Sequence, residues 1–246
     1  MGCRCGSANQ TTHADFLRSR VAEQYGLFSL VAIPVKGEHE TFAVIELFAT
    51  EDRAPDVDTL SALTIIGRQL GAVYKRRQNA KRLANYDQLT KLATPRLARD
   101  RGQQAITHAT RKGSSAAFLF IDLDDFKSVN DEYGHGVGDS LLCHISMLYE
   151  NIARNVDTVA RIGGDEFLII LSDLKDSSGA QRVAHKIVDK LALLTRIDGR
   201  KITIGASIGI AIFEAGDEND FDKLIKTADE AMYQAKQQGK SEVALA

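Results

Sequence analysis

The sequence predicts a mixed α/β fold, a central sheet with helices on its faces, on three observations. Ser115 to Leu123 is dense in Ala, Phe, Leu and Ile without polar alternation, which marks a strand buried on both sides. Two apolar runs, Val156 to Ile162 and Phe167 to Leu171, flank Gly163-Gly164, a pair that tolerates the positive φ of a tight turn and so predicts a β-hairpin. Segments with apolar residues at helical spacing separate these strands. A chain of 246 residues with 44% hydrophobic and 26% charged residues has room for one large core or two small ones.

Taken in order, residues 1 to 12 are small and polar and read as a disordered tail. Phe16, Val21, Ala22 and Tyr25 recur at helical spacing from Asp15 to Tyr25, with Gly26 placed to end that helix. Leu27–Val35 and Thr41–Phe48 read as strands joined by the turn Lys36-Gly37-Glu38-His39. A helix from about Asp56 carries Leu60, Leu63, Ile66, Leu70 and Val73 near a heptad seam and runs into the charged segment Lys75 to Arg82. Such a stripe either packs on its own domain or pairs with a second copy of itself, and the basic end of the seam fits the second case.

Beyond it, residues 97–112 read as a helix, 115–123 as the buried strand, 139–155 as a helix and 156–171 as the hairpin. A helix follows over 178–194, then one long strand over 201–213 interrupted by Gly205 and Gly209, then a helix over 222–238 stopped by Gly239. Phe126 to Asp139, with glycines at 134, 136 and 138, reads as a loop between strand and helix. The order α, β, α, β-hairpin, α, β, α suits a ferredoxin-like or palm-like sheet with flanking helices, an α+β arrangement.

Charge and cysteine content narrow the function. Lys plus Arg total 31 against 33 for Asp plus Glu, so no basic excess points to a nucleic-acid polymer. Three unevenly placed cysteines make no disulfide framework and suggest a reducing compartment. Cys3 and Cys5 sit in the polar tail, and Cys143 reads as a small core residue. No apolar run reaches the roughly 18 residues of a membrane span, and the first residues lack a signal-peptide layout, so a cytoplasmic protein without membrane contact is expected.

Asp122 ends a run that should be buried, an expensive place for a charge without a partner. If the hairpin lies beside that strand, Asp122 and Asp165 converge, and two carboxylates about 4 Å apart repel by roughly 4 kcal/mol at an effective dielectric of 20. A divalent cation removes that repulsion. Few, hard oxygen ligands suit magnesium, or manganese, better than zinc.

Five segments carry a resemblance. Arg161-Ile162-Gly163-Gly164-Asp165-Glu166-Phe167 resembles the signature of the GGDEF family of diguanylate cyclases. Asp87-Gln88-Leu89-Thr90-Lys91-Leu92 is similar to the family's Asp-x-Leu-Thr-Gly-Leu entrance, although Ala93-Thr94-Pro95-Arg96 departs from its continuation. Phe126 to Asp139 matches Phe-Lys-x-x-Asn-Asp-x-x-Gly-His-x-x-Gly-Asp, and Ala228 to Lys240 matches Ala-Asp-x-Ala-Leu-Tyr-x-Ala-Lys-x-x-Gly-Arg except that Lys240 replaces the Arg. Arg154 and Asp157 match the Arg-x-x-Asp of the family's inhibitory product site. The resemblance spans about Asp87 to Val243.

It implies condensation of two GTP into cyclic di-GMP and pyrophosphate, one GTP per subunit of a homodimer. Asp122, the Leu123 carbonyl and Asp165 would bind magnesium. Asp165 would help deprotonate the attacking hydroxyl, with Glu166 beside it. Asn130, His135 and Asp139 would meet the nucleotide, and an ionised Asp139 offers two acceptor oxygens to guanine's two neighbouring donors. Lys127, Lys236 and Lys240 would meet the phosphates, Lys240 without the bidentate fork of an Arg. Arg154 and Asp157 imply feedback inhibition by the product.

Residues 13–74 resemble the C-terminal half of a GAF sensory domain, too short to complete its pocket. Residues 75–86 would form a helical linker and 87–246 the cyclase domain. The alternatives are a module that binds GTP or cyclic di-GMP as a sensor without turnover, and a related palm-fold cyclase making a cyclic mononucleotide.

Overall fold

The structure, a computed structural model, describes residues 21, 24–51 and 54–246. The tail at 1–12, the Cys3 and Cys5 pair and most of the helix expected over Asp15 to Tyr25 lie outside the described residues. Two compact units divide after Lys81, within the segment 75–86.

The first unit contains strands β1 (Ser29–Lys36) and β2 (Thr41–Ala49), paired antiparallel, and the helix α1 begins at Val57 and ends at Asn85. Only the start of the seam meets the hairpin: Leu60 and Leu63 are half-buried, and Leu63 lines a cavity with Val31 and Leu47. Gly67 and Gly71 are the buried residues of α1, and a Cβ on Gly71 would stand 1.9 Å from the Lys36 carbonyl oxygen, so glycine lets the helix lie directly on the β1 backbone. Ile66, Leu70 and Val73 are left exposed. Phe42 packs on Tyr74 with ring centroids 4.7 Å apart, and Lys75 pairs with Glu38 at 2.8 Å.

In the second unit a five-stranded sheet has the order β4-β5-β3-β8-β9, where β3 is Ser115–Asp124, β4 Thr158–Gly163, β5 Glu166–Leu174, β8 Gly205–Phe213 and β9 Val243–Leu245. All neighbours are antiparallel except β8 and β9. The central strand β3 is buried throughout after Ser115, as its lack of alternation predicts. Its odd-numbered residues, Ala117, Leu119, Ile121 and Leu123, pack with α3 (Phe126–Tyr133), α4 (His135–Ile152) and α5 (Ser178–Ala192). Its even-numbered residues, Ala116, Phe118 and Phe120, pack with α2 (Pro95–Lys112) and α6 (Phe221–Gln238).

Local signals explain the helix ends. Thr94 caps α2 ahead of Pro95, and Gly113 closes it at φ 67°. Asp220 caps α6 by accepting from the Lys223 N–H at 2.9 Å, and Gly239 follows its last turn.

Three expectations need correction. Phe126 to Asp139 is not a loop: α3 and α4 fill it, meeting at Gly134 with φ 85°. The long strand at 201–213 is split, because Arg200–Lys201 (β7) pairs with Arg196–Ile197 (β6), and Ile202 and Ile204 enter the core without joining the sheet. The edge strand β9 was absent from the expected order. Among the described residues no helix is long and apolar enough to cross a membrane.

Candidate active site

The parity of β3 places the chemistry. Asp122 and Asp124 continue the even-numbered face, beyond Phe120, toward the end of α6. Asp122 lies opposite Glu166 on β5 and opposite Ser207 on β8. The hairpin turn is fastened to the same end, since the Leu123 N–H donates to the Asp165 carbonyl at 3.2 Å. The structure therefore brings Asp122, Leu123, Asp165 and Glu166 together.

The turn is held from outside as well. The Arg161 guanidinium donates to the Gly164 carbonyl from Nε at 3.0 Å and Nη2 at 2.8 Å, and from Nη1 to Asp87 at 3.3 Å. Asp87 in turn accepts from the Thr90 N–H at 2.8 Å and its hydroxyl at 2.7 Å. Burial pushes the Asp87 carboxyl up, but Thr90 and Arg161 outweigh it and hold it below the usual range. The segment Asp87 to Leu92 thus braces the carboxylate turn, a role that the sequence did not reveal.

Charge is concentrated here. Asp122 is 9% exposed, and burial pushes its carboxyl up, Lys236 draws it down, and Asp165 and Asp124 push it up again. Lys236 Nζ lies 2.7 Å from Asp122 Oδ1. Burial and then the charges of Asp122, Asp165 and Asp229 raise Glu166. The Lys236 ammonium already offsets part of the negative charge on Asp122. Two carboxylates and a main-chain carbonyl are hard oxygen donors of the kind that holds magnesium or manganese. Among the described residues no three His, Cys, Asp or Glu side chains converge to bind a metal by themselves, so a bound cation here would complete its shell with water or phosphate oxygens.

The raised Glu166 has a consequence for stability. The folded state holds this proton more tightly than the unfolded chain, so stability is lost as pH climbs from the ordinary Glu range through the raised one, and stays lost at neutral pH. Glu166→Gln is expected to raise Tm by about 1–2 °C at pH 7 in EDTA, small because water screens a partly exposed group, with no gain below pH ~4. Thermal unfolding followed by circular dichroism at both pH values checks this.

At the junction of α3 and α4, Gly134 N–H donates to the Asn130 carbonyl at 2.8 Å. A Cβ on Gly138 would stand 2.0 Å from Asn130 Oδ1, so glycine there lets the Asn130 amide sit against α4 beside Asp139. Lys127, His135 and Asp139 are exposed. Lys240 is 2.7 Å from Asp125, which raises the lysine, and both are solvent-accessible. Asp124, not singled out in the sequence, is 5% exposed and accepts three hydrogen bonds.

Arg154 and Asp157 stand apart from this cluster. Arg154 donates to Asp157 through Nε and Nη2, each at 3.1 Å, and to the Ser172 carbonyl at 3.0 Å. Ser172 is six residues along β5 from Glu166, about 20 Å at the rise of a strand. The pair borders an open cleft of about 770 Å³ whose lining includes Tyr86, Arg101, His108 and Lys112.

The chain is similar to known proteins. The family model described as "Diguanylate cyclase, GGDEF domain" matches residues 84–242. The bifunctional diguanylate cyclase/cyclic di-GMP phosphodiesterase MucR of Pseudomonas aeruginosa is 42% identical over 159 residues, 65% of this chain and 23% of MucR. This chain therefore spans less than a quarter of that relative's length. The crystal structure of the GGDEF domain of TpbB from Pseudomonas aeruginosa aligns with a TM-score of 0.61 at 35% identity, covering 64% of this chain and 98% of that one. The GGDEF domain of DgcB from Caulobacter crescentus, solved in complex with c-di-GMP, aligns with a TM-score of 0.61 at 26% identity, covering 66% of this chain and 95% of that one.

Proposed function

The chain belongs to the GGDEF diguanylate cyclase family, and from that premise we propose that it condenses two GTP into cyclic di-GMP with release of two pyrophosphates. The observation that carries this reading is that Asp122, Asp165 and Glu166 stand at one end of the sheet beside Lys236. Asp122, the Leu123 carbonyl and Asp165 would hold magnesium or manganese, which would supply charge neutralisation for the α-phosphate and the leaving pyrophosphate. Asp165 accepts the proton of the 3′-hydroxyl as that oxygen bonds to the α-phosphorus of the other nucleotide and the bond to pyrophosphate breaks. The same exchange, repeated in the opposite sense, closes the ring. Lys236 and Lys240 draw the β- and γ-phosphates, with Lys127 just past the end of β3, while Asn130, His135 and Asp139 receive the guanosine.

Each subunit binds one GTP, so the reaction needs two subunits face to face. The exposed row Ile66, Leu70 and Val73 on α1 supports pairing through that helix, since the hairpin of the same unit leaves it uncovered. The hairpin and helix of residues 13–74 act as the C-terminal half of a GAF-like sensory unit, and the protein works in the cytoplasm. Arg154 and Asp157 bind the product and inhibit turnover.

Incubation with GTP and magnesium, followed by mass identification of products, tests the reading. Cyclic di-GMP is expected. A demonstrably dimeric sample that makes none overturns it, and one that binds GTP or cyclic di-GMP without turnover is a sensor instead. Arg154→Ala is expected to keep turnover and to raise the cyclic di-GMP concentration for half-inhibition at least about tenfold, the scale of a lost charge-assisted contact. Its fold should survive because Asp157 keeps hydrogen bonds from the main-chain N–H groups of residues 154 and 172.

A further inference from the structure

Three rungs join the end of β3 to the end of α6. Asp122 meets Lys236 at 2.7 Å, Asp125 meets Lys240 at 2.7 Å, and between them Asp124 reaches Ser241. The outer two rungs are ion pairs open to solvent on the lysine side. In the middle one the Asp124 carboxylate is buried, while Ser241 at its other end is exposed. Asp124 Oδ1 accepts from the Ser207 hydroxyl at 2.8 Å, and Oδ2 accepts from the Ser241 N–H at 2.8 Å and the Ser241 hydroxyl at 3.3 Å. A buried carboxylate is retained only where its hydrogen bonds are made, and here they come from one strand and one turn.

That turn is under strain. Lys240 has φ 62° and Ser241 φ 54°, two successive non-glycine residues in the left-handed region that side chains disfavour. Asp125, at the facing strand end, has φ 58°. Conformations of this kind persist when surrounding contacts over-determine them, and Asp124 supplies those contacts to the turn. Lys236 stands in the last turn of α6 and Lys240 lies beyond its end at Gly239, so Ser241 holds the turn that carries Lys240 and closes the helix that carries Lys236.

We propose that Asp124 is a positioning residue for the phosphate end of the substrate: by anchoring Ser241 it sets Lys240 and the last turn of α6, with Lys236, against the end of β3. It touches neither nucleotide nor reacting atoms. The assignment rests on the nucleotide-binding reading of this site and extends it to a residue whose side chain faces away from solvent.

The test compares two ligands on the full chain with magnesium present, GMP and a non-hydrolysable GTP analogue, by calorimetry. GMP lacks the β- and γ-phosphates, so a positioning role separates the two. Asp124→Asn keeps the shape, but its amide cannot accept from both the Ser207 hydroxyl and the Ser241 N–H. Affinity for the GTP analogue is expected to fall about tenfold with GMP affinity unchanged. Lys240→Met should show the same selectivity, and the double variant should lose less than the product of the two single losses. An equal loss for both ligands, no loss for either, or full additivity overturns the assignment. Should Asp124→Asn not fold, Ser241→Ala carries the same comparison, with an expected two- to threefold loss confined to the GTP analogue, roughly that of one weak hydrogen bond. If the unaltered chain binds neither ligand, the nucleotide reading itself fails and this assignment with it. If it binds both and the variants lose both equally, only the assignment fails.

Discussion

Asp165→Ala is expected to lower cyclic di-GMP formation about a thousandfold or more while leaving the protein folded. The magnitude follows from removing a group that both holds the cation and takes the proton, since electrostatic stabilisation of this kind contributes several kcal/mol and each ~1.4 kcal/mol is tenfold in rate. The fold should survive because the structural contribution of residue 165 is its carbonyl, which accepts from the Leu123 N–H and is present in alanine. Product quantified by mass, with circular dichroism as the control for folding, checks both halves. A variant that retains a tenth of the original rate would remove Asp165 from the chemistry.

Lys236→Gln is expected to tighten manganese binding about tenfold in the absence of nucleotide and to weaken GTP binding by a similar factor. In the structure the Lys236 ammonium stands 2.7 Å from Asp122 and competes with any cation for that carboxylate. Glutamine removes the competitor but also the phosphate ligand, so the two affinities should move in opposite directions. The free manganese signal in electron paramagnetic resonance reads the first and calorimetry the second. Equal manganese affinity with and without Lys236 would show that the ion pair exerts no control over the metal.

Legibility in the sequence followed how local each determinant is. Strand β3 was readable because burial on both faces abolishes alternation, and the hairpin because Gly163-Gly164 names its own turn. The segment at 134–138 misled because three glycines disfavour a helix in isolation. Packing overrides that preference, as the place of Asn130 against Gly138 illustrates. Ile202 and Ile204 look like strand residues, yet they fill the core beside the sheet, and nothing in their chemistry separates the two fates. The three-residue β9 exists through parallel pairing with β8, a tertiary condition.

Within the site, Asp122 announced itself by ending an apolar run, whereas Asp124 needed one more step. In a strand, residues two apart share a face, so the signal for Asp124 was its separation from Asp122. Arg161 was visible beside the turn, but its partners Gly164 and Asp87 lie on either side of it in sequence, and only folding joins Asp87 to the hairpin. The lysines at 236 and 240 were legible as charges near the end of the last helix, although Lys240 lies beyond it and not on its face. Their separate aspartates were not.

The alternation of β3 also bears on how this domain can change over evolutionary time. Point substitutions along the strand alter one layer at a time, and either helical layer can drift without disturbing the other. Losing or gaining a single codon inside the strand is different in kind. It would turn every later side chain to the opposite layer, driving Asp122 and Asp124 among the aliphatic residues of α4 and α5 and presenting Ile121 and Leu123 to the lysines. The residue count of the strand and the facing of the acids are locked together here, so insertions should accumulate in the connections around this sheet and be purged from its middle.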